Sequence, residues 1–206
     1  MSAGGNYLIM QERARQLFLT YDPEKLRDRL SLAFDPAGIP IRFLDGEYLV
    51  RASDGEVVDG EGNKAPFAAA MSIYDVLCRS EETPVLSGAF VPTMELHGIM
   101  GSNSVHEDLN RRDALYFTGR TGALAEACRA LGGTLGSRGD VSFRIPVFPF
   151  FPVELRFWEA DEEFPASLQF FWDANALSFA RYETLWYMSA ALTERLRKAV
   201  EGHYHT

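Results

Sequence analysis

An α+β fold is predicted by the way two hydrophobic periods are grouped along the chain. Its expected parts are N-terminal helices, a three-stranded antiparallel meander, central helices, a second antiparallel sheet region and a C-terminal helix. Alternating apolar positions cluster in residues 39–57 and again in 141–172, while the 3.6-residue period fills the stretches around them. Strand and helix do not alternate regularly, which argues against a doubly wound parallel sheet. With 206 residues, 47% of them hydrophobic and 24% charged, the chain can bury one full core, or one core with a small satellite. We therefore expect a single α+β domain over residues 1–206, subdivision into 1–65 and 66–206 being the alternative.

The first helix is expected over Tyr7–Thr20, where Tyr7, Met10, Ala14, Leu17 and Phe18 share one face. Asp22-Pro23-Glu24 opens the second, with Asp22 as N-cap and Pro23 at the first helical position; Leu26 and Leu30 form its apolar face. Ile39, Ile41 and Phe43 then alternate into Asp45-Gly46. Tyr48, Leu49 and Val50 follow, and Asp54-Gly55 precedes Val57. Asp-Gly tolerates the positive φ of tight hairpin turns, so a meander is predicted. A polar loop over Gly60–Ala65 ends at Pro66, before a helix with Phe67, Met71, Tyr74, Leu77 and Cys78 on one face. Pro84–Leu96 reads as partly extended and Gly98–Asn103 as loop. Ser104-Val105-His106-Glu107 has capping-box spacing. Helices are expected over His106–Phe117 and Ala123–Leu131, the second closed by Gly132-Gly133. Strands at Val141–Ile145, Val153–Trp158 and Ser167–Trp172 precede a last helix over about Ala180–Val200.

The net charge of −9 and scattered arginines argue against a nucleic-acid or anionic-membrane surface, since phosphate binding needs clustered Lys and Arg. No apolar run approaches the ~20 residues of a membrane span. The start of the chain lacks the basic-then-apolar pattern of a signal peptide. With Cys78 and Cys128 on separate apolar faces, buried free thiols and a cytoplasmic location are expected.

The segments Tyr48-Leu49-Val50, Gly132-Gly133 with Gly139–Arg144, and Phe157-Trp158-Glu159-Ala160-Asp161-Glu162-Glu163-Phe164-Pro165-Ala166 together resemble a prokaryotic family. It is the domain-of-unknown-function family numbered 3786, and the resemblance runs from about Leu8 to Leu196. The most specific part is the Trp-Glu-x-Asp-Glu-Glu-Phe-Pro-Ala run followed by Phe171-Trp172-Asp173. The resemblance implies a largely anaerobic bacterial or archaeal source. It implies no activity. Some relatives are joined to a cysteine-rich iron–sulfur segment, which two cysteines cannot supply. Relatives also tend to carry a Glu-Asp pair before the last helix, where this chain reads Glu183-Thr184.

The acidic turn between the last two strands is the first candidate site, with Trp158, Glu159, Asp161, Glu162, Glu163, Trp172, Asp173 and His97 as its candidate residues. Carboxylates at a bend suit hard cations or acid–base work, though the spacing of a calcium loop is absent. Two other readings stand beside it: a hairpin tip whose carboxylates face water, and Asp161 capping local backbone N–H groups. His97 lies in a Gly-rich loop, as a ligand, a proton carrier or plain surface. His106-Glu107 lacks the second histidine of a zinc-protease motif. His203-Tyr204-His205 is either a metal-binding tail or a frayed end. Gly132-Gly133-Thr134-Leu135-Gly136 follows a helix instead of opening one, so it is no phosphate loop. Neither cysteine has a histidine nearby in sequence, and no nucleophile elbow occurs.

The aromatic set Phe148, Phe150, Phe151, Phe157, Trp158, Phe170, Phe171, Trp172, Trp186 and Tyr187 must divide between two sheet faces. One face forms the core. The other, if uncovered, offers a groove or a homo-oligomer interface. The function expected first is therefore a non-enzymatic accessory protein of anaerobic prokaryotic metabolism that uses the aromatic sheet face or the Gly98–Asn103 loop to bind a small molecule or a protein partner, with no cofactor predicted. A hydrolase or metal-assisted enzyme using Asp161, Glu162 or Glu163 with His97 or Arg156 is the alternative. A partner of an iron–sulfur protein is the third.

Overall fold

The computed structural model describes residues 3–33, 35–96 and 104–203, the side chains of 3–5, 104–109 and 203 excepted. His97, the Gly98–Asn103 loop, the capping box at Ser104, the side chains of His106, Glu107 and His203, and Tyr204-His205 lie outside that description. The described elements run α1 (Ala3–Phe18), α2 (Pro23–Arg29), β1 (Gly38–Phe43), β2 (Gly46–Arg51), β3 (Val57–Asp59) and α3 (Phe67–Arg79). They continue with β4 (Phe90–Pro92), α4 (Ser104–Phe117), α5 (Thr121–Ala130), β5 (Thr134–Leu135), β6 (Val141–Phe148), β7 (Phe151–Trp158), β8 (Ser167–Asp173) and α6 (Tyr182–His203). Both sheets are antiparallel, ordered β1-β2-β3 and β4-β8-β7-β6-β5. The fold is α+β, as the grouped periods predict. No helix among the described residues is long and apolar enough to cross a membrane.

The chain divides into two units. The first comprises residues 1–85, 148–150 and 177–191. Its centre is α3, whose residues Ala69–Cys78 are all buried. The sequence predicts only one apolar face for this helix. Burial all round follows from packing against α1, α2 and β1, and it takes Ser72 and Asp75 inside with the apolar side chains. At α2, the Asp22 carboxylate accepts the Glu24 N–H, and Leu26 and Leu30 are buried.

The first hairpin turn differs from expectation by one residue. Phe43 pairs with Gly46, so Leu44 and Asp45 form the turn and Gly46 belongs to β2. Leu44 takes a φ of 53°, unusual for a leucine. Its side chain is buried, and its carbonyl accepts the Arg42 Nε–H at 3.0 Å. Registry explains the shift: pairing Ile41 with Tyr48 and Ile39 with Val50 keeps all four buried, and a one-residue slip would turn one strand's set outward. Local strain at Leu44 is outweighed by that burial. The second turn spans Ala52–Glu56; Gly55 has φ 71° and the Asp54 carboxylate accepts the Glu56 N–H.

The second unit comprises residues 86–147, 151–176 and 192–206. It holds the five-stranded sheet, with α4 packed against β8. Strand β4 lies within Pro84–Leu96, which the sequence marks only as partly extended, and β5 is left unassigned by the sequence. At three and two residues they are too short to show a period, and they exist because β8 and β6 offer open edges.

Cys78 and Cys128 are free and buried, and burial pushes each thiol up to about 12. A thiol reagent at about pH 8 should therefore label neither cysteine in the native protein and both in urea. Rapid labelling of the native protein would contradict this burial.

Candidate functional site

The site begins with the register of β7 and β8. Val153 opposes Trp172, Leu155 opposes Phe170 and Phe157 opposes Leu168, and all six are buried. The intervening pairs, Glu154 with Phe171, Arg156 with Gln169 and Trp158 with Ser167, present the opposite face. Aromatics do occupy both faces, as the sequence indicates. The second face is roofed by arginines: Arg156 lies 3.7 Å over the Phe171 ring and Arg144 lies 4.3 Å over Phe90. Glu154, 6% exposed, holds both, at 2.6 Å from Arg156 and 3.6 Å from Arg144. Arg156 is thus engaged on the sheet and does not line the groove described next.

At the end of this face, the turn after Trp158 is tied by its own carboxylates. Asp161 Oδ1 accepts the N–H groups of Glu163 (2.9 Å) and Phe164 (2.7 Å), the capping role that is one of the sequence readings. The Glu159 carboxylate accepts the Gly119 N–H at 2.8 Å and the Ala160 N–H at 3.2 Å. The Glu159 N–H in turn donates to Asp140 Oδ2 at 2.7 Å, and the Asp140 N–H donates to the Phe157 carbonyl at 2.9 Å. Gly139 makes that approach feasible: its φ is 91°, and a Cβ there would stand 2.7 Å from the Phe157 oxygen. Two segments far apart in sequence, Gly139-Asp140 and the Trp158–Pro165 run, are therefore one structure.

Together they form a groove of about 530 Å³. Asp140, Glu159 and Asp161 supply carboxylates, Trp158 and Phe164 supply aromatic wall, and Pro165, Ser167 and Gln169 complete the lining. Trp158 is partly buried, whereas Phe164 is 66% exposed. Of the residues singled out in the sequence, the groove gathers Trp158, Glu159 and Asp161. Glu162 and Glu163 are exposed and outside its lining. Trp172 is fully buried in the core face against Phe151, ring centroids 5.1 Å apart. Asp173 is fully buried as well, and accepts hydrogen bonds from Ser87, Gly88 and Asn175.

Asp140, Phe164, Pro165, Ser167 and Gln169 also line the groove without being among the candidate site residues read from the sequence. Asp140 carries one signal, its place after Gly139; Gln169 carries none beyond its strand parity. No three His, Cys, Asp or Glu side chains gather as a metal-holding set among the described residues.

This is an antiparallel α+β protein with an acidic, aromatic-walled groove at one hairpin end. The chain belongs to the family described as "Domain of unknown function (DUF3786)", whose model matches residues 22–195. No curated protein and no solved structure matches it.

Proposed function

We propose that this chain is a non-enzymatic binding protein whose groove beside Trp158 holds a small organic cation, an amine or quaternary ammonium. The observation that carries this reading is the convergence of Asp140, Glu159 and Asp161 with the rings of Trp158 and Phe164 around one groove. Carboxylates held by backbone N–H groups are already oriented, so binding orders little further. Aromatic faces attract the same positive charge through their quadrupoles. A binding role is favoured over hydrolysis because Arg156, the described cation that chemistry would recruit, is engaged by Glu154 and Phe171. We assign the protein an accessory role in an anaerobic prokaryote, the source that the family resemblance implies, and a cytoplasmic location in keeping with its two buried free thiols.

Titration with benzyltrimethylammonium, followed by tryptophan fluorescence, tests the reading. Saturable binding should weaken about tenfold in Glu159→Gln, which keeps the amide-accepting oxygen and removes the charge. Trp158→Phe should remove most of the fluorescence response. Equal binding by Glu159→Gln and wild type, or no saturable binding by wild type, would sink the proposal.

A further inference from the structure

In the first unit, a second cleft of about 370 Å³ opens between α1 and α3. Its floor is apolar: Met10, Ala14 and Leu17 come from α1, Met71 and Tyr74 from α3. The Tyr74 hydroxyl is already engaged, donating to the Gly55 carbonyl at 2.6 Å, so the residue offers the cleft its ring. The rim is basic. Arg13, Arg79 and Arg181 stand around it with Asp75 as the one carboxylate, a net charge of +2 in a chain whose total is −9.

The three guanidinium groups are not equivalent. Arg181 is fixed, its Nε donating to Asp75 Oδ1 at 2.6 Å. Asp75 Oδ2 is taken by the Arg181 N–H and the Thr184 hydroxyl, so Asp75 neutralises one charge and no more. Arg13 and Arg79 form no hydrogen bond or ion pair with any described residue, and both are exposed. Glu12, the acid next to Arg13, is bound instead by Arg15 and Gln16.

We infer that this cleft binds a small amphipathic anion: a carboxylate held by Arg13 and Arg79, with a short apolar body laid on Met10, Leu17 and Met71. Guanidinium forks match the planar carboxylate and bind it through paired N–H donors. The volume lies at the lower end of the ~300–1,000 Å³ typical of small-molecule sites, which suits a body of a few carbons. This site is separate from the acidic groove and takes the opposite charge.

Octanoate is the probe, with octanol as the same body without charge and inorganic phosphate as charge without body. Methionine-methyl NMR should show Met10 and Met71 moving saturably with octanoate, and calorimetry should give a matching isotherm. Arg13→Gln with Arg79→Gln should weaken binding at least about tenfold, and added salt should weaken it in the wild type. Glu159→Gln should leave octanoate binding unchanged, which separates this result from failure of the cation groove. Equal binding of octanol, phosphate binding as tight as octanoate, or undiminished binding by the folded double variant would each overturn the inference. Should the double variant not fold, salt-insensitive wild-type binding would overturn it equally.

Discussion

Asp173→Ala is expected to lower stability by about 3–5 kcal/mol, the scale for stripping the partner from buried charge-assisted hydrogen bonds. The carboxylate is fully buried at the end of β8 and accepts four hydrogen bonds. They come from Ser87 N (2.9 Å), Ser87 Oγ (2.9 Å), Gly88 N (2.7 Å) and Asn175 N (2.9 Å). Burial acts to raise its pKa, but these donors outweigh it and hold the group below the ordinary carboxylate range. The sign follows directly. A depressed folded pKa stabilises the native state above the unfolded value of about 3.9, and that contribution is lost as pH falls through the folded pKa. Urea midpoints measured from about pH 6 downward should thus fall more steeply in wild type than in Asp173→Asn. Identical acid slopes would show that Asp173 is not the ionised hub described.

Asp75→Ala is expected to destabilise the first unit comparably, by about 3–5 kcal/mol. Asp75 is 3% exposed in the middle of α3, and it accepts from Arg181 N, Arg181 Nε and Thr184 Oγ1 at 2.6–2.8 Å. It therefore caps the start of α6 from another helix, a cap contributed across 106 residues of sequence. Two mechanisms, cap and ion pair, make different forecasts for Arg181. Its side chain is 54% exposed, so Arg181→Ala should lower stability by only about 1 kcal/mol or less, while the backbone N–H and Thr184 bonds persist. Thermal melting of both variants decides: equal losses would mean that the ion pair, not the cap, carries the interaction.

Much of the architecture is legible because its signals are local. Asp22-Pro23 starts α2 through a side chain two residues from the N–H that it accepts. Alternation at Ile39, Ile41 and Phe43 marks a half-buried strand whatever its neighbours. The same is true of the β7–β8 hairpin, and of Asp161, whose two bonds reach only two and three residues along the chain. The candidate site is legible only in part, since Asp140 meets Glu159 across 19 residues and Gln169 joins the groove through strand register.

By itself the sequence determined the α+β class, the meander, the main hairpin with its acidic turn and the burial of both cysteines, because each follows from residue spacing or polarity within a short window. Tertiary structure alone decided that Leu44 instead of Gly46 turns the first hairpin, that arginines roof the second aromatic face, and that Asp173 and Asp75 are buried hubs. In each case the deciding quantity is a long-range pairing, a register or a buried donor–acceptor match. Such pairings have no local trace, since a carboxylate reads the same in sequence whether water or four N–H and O–H donors surround it.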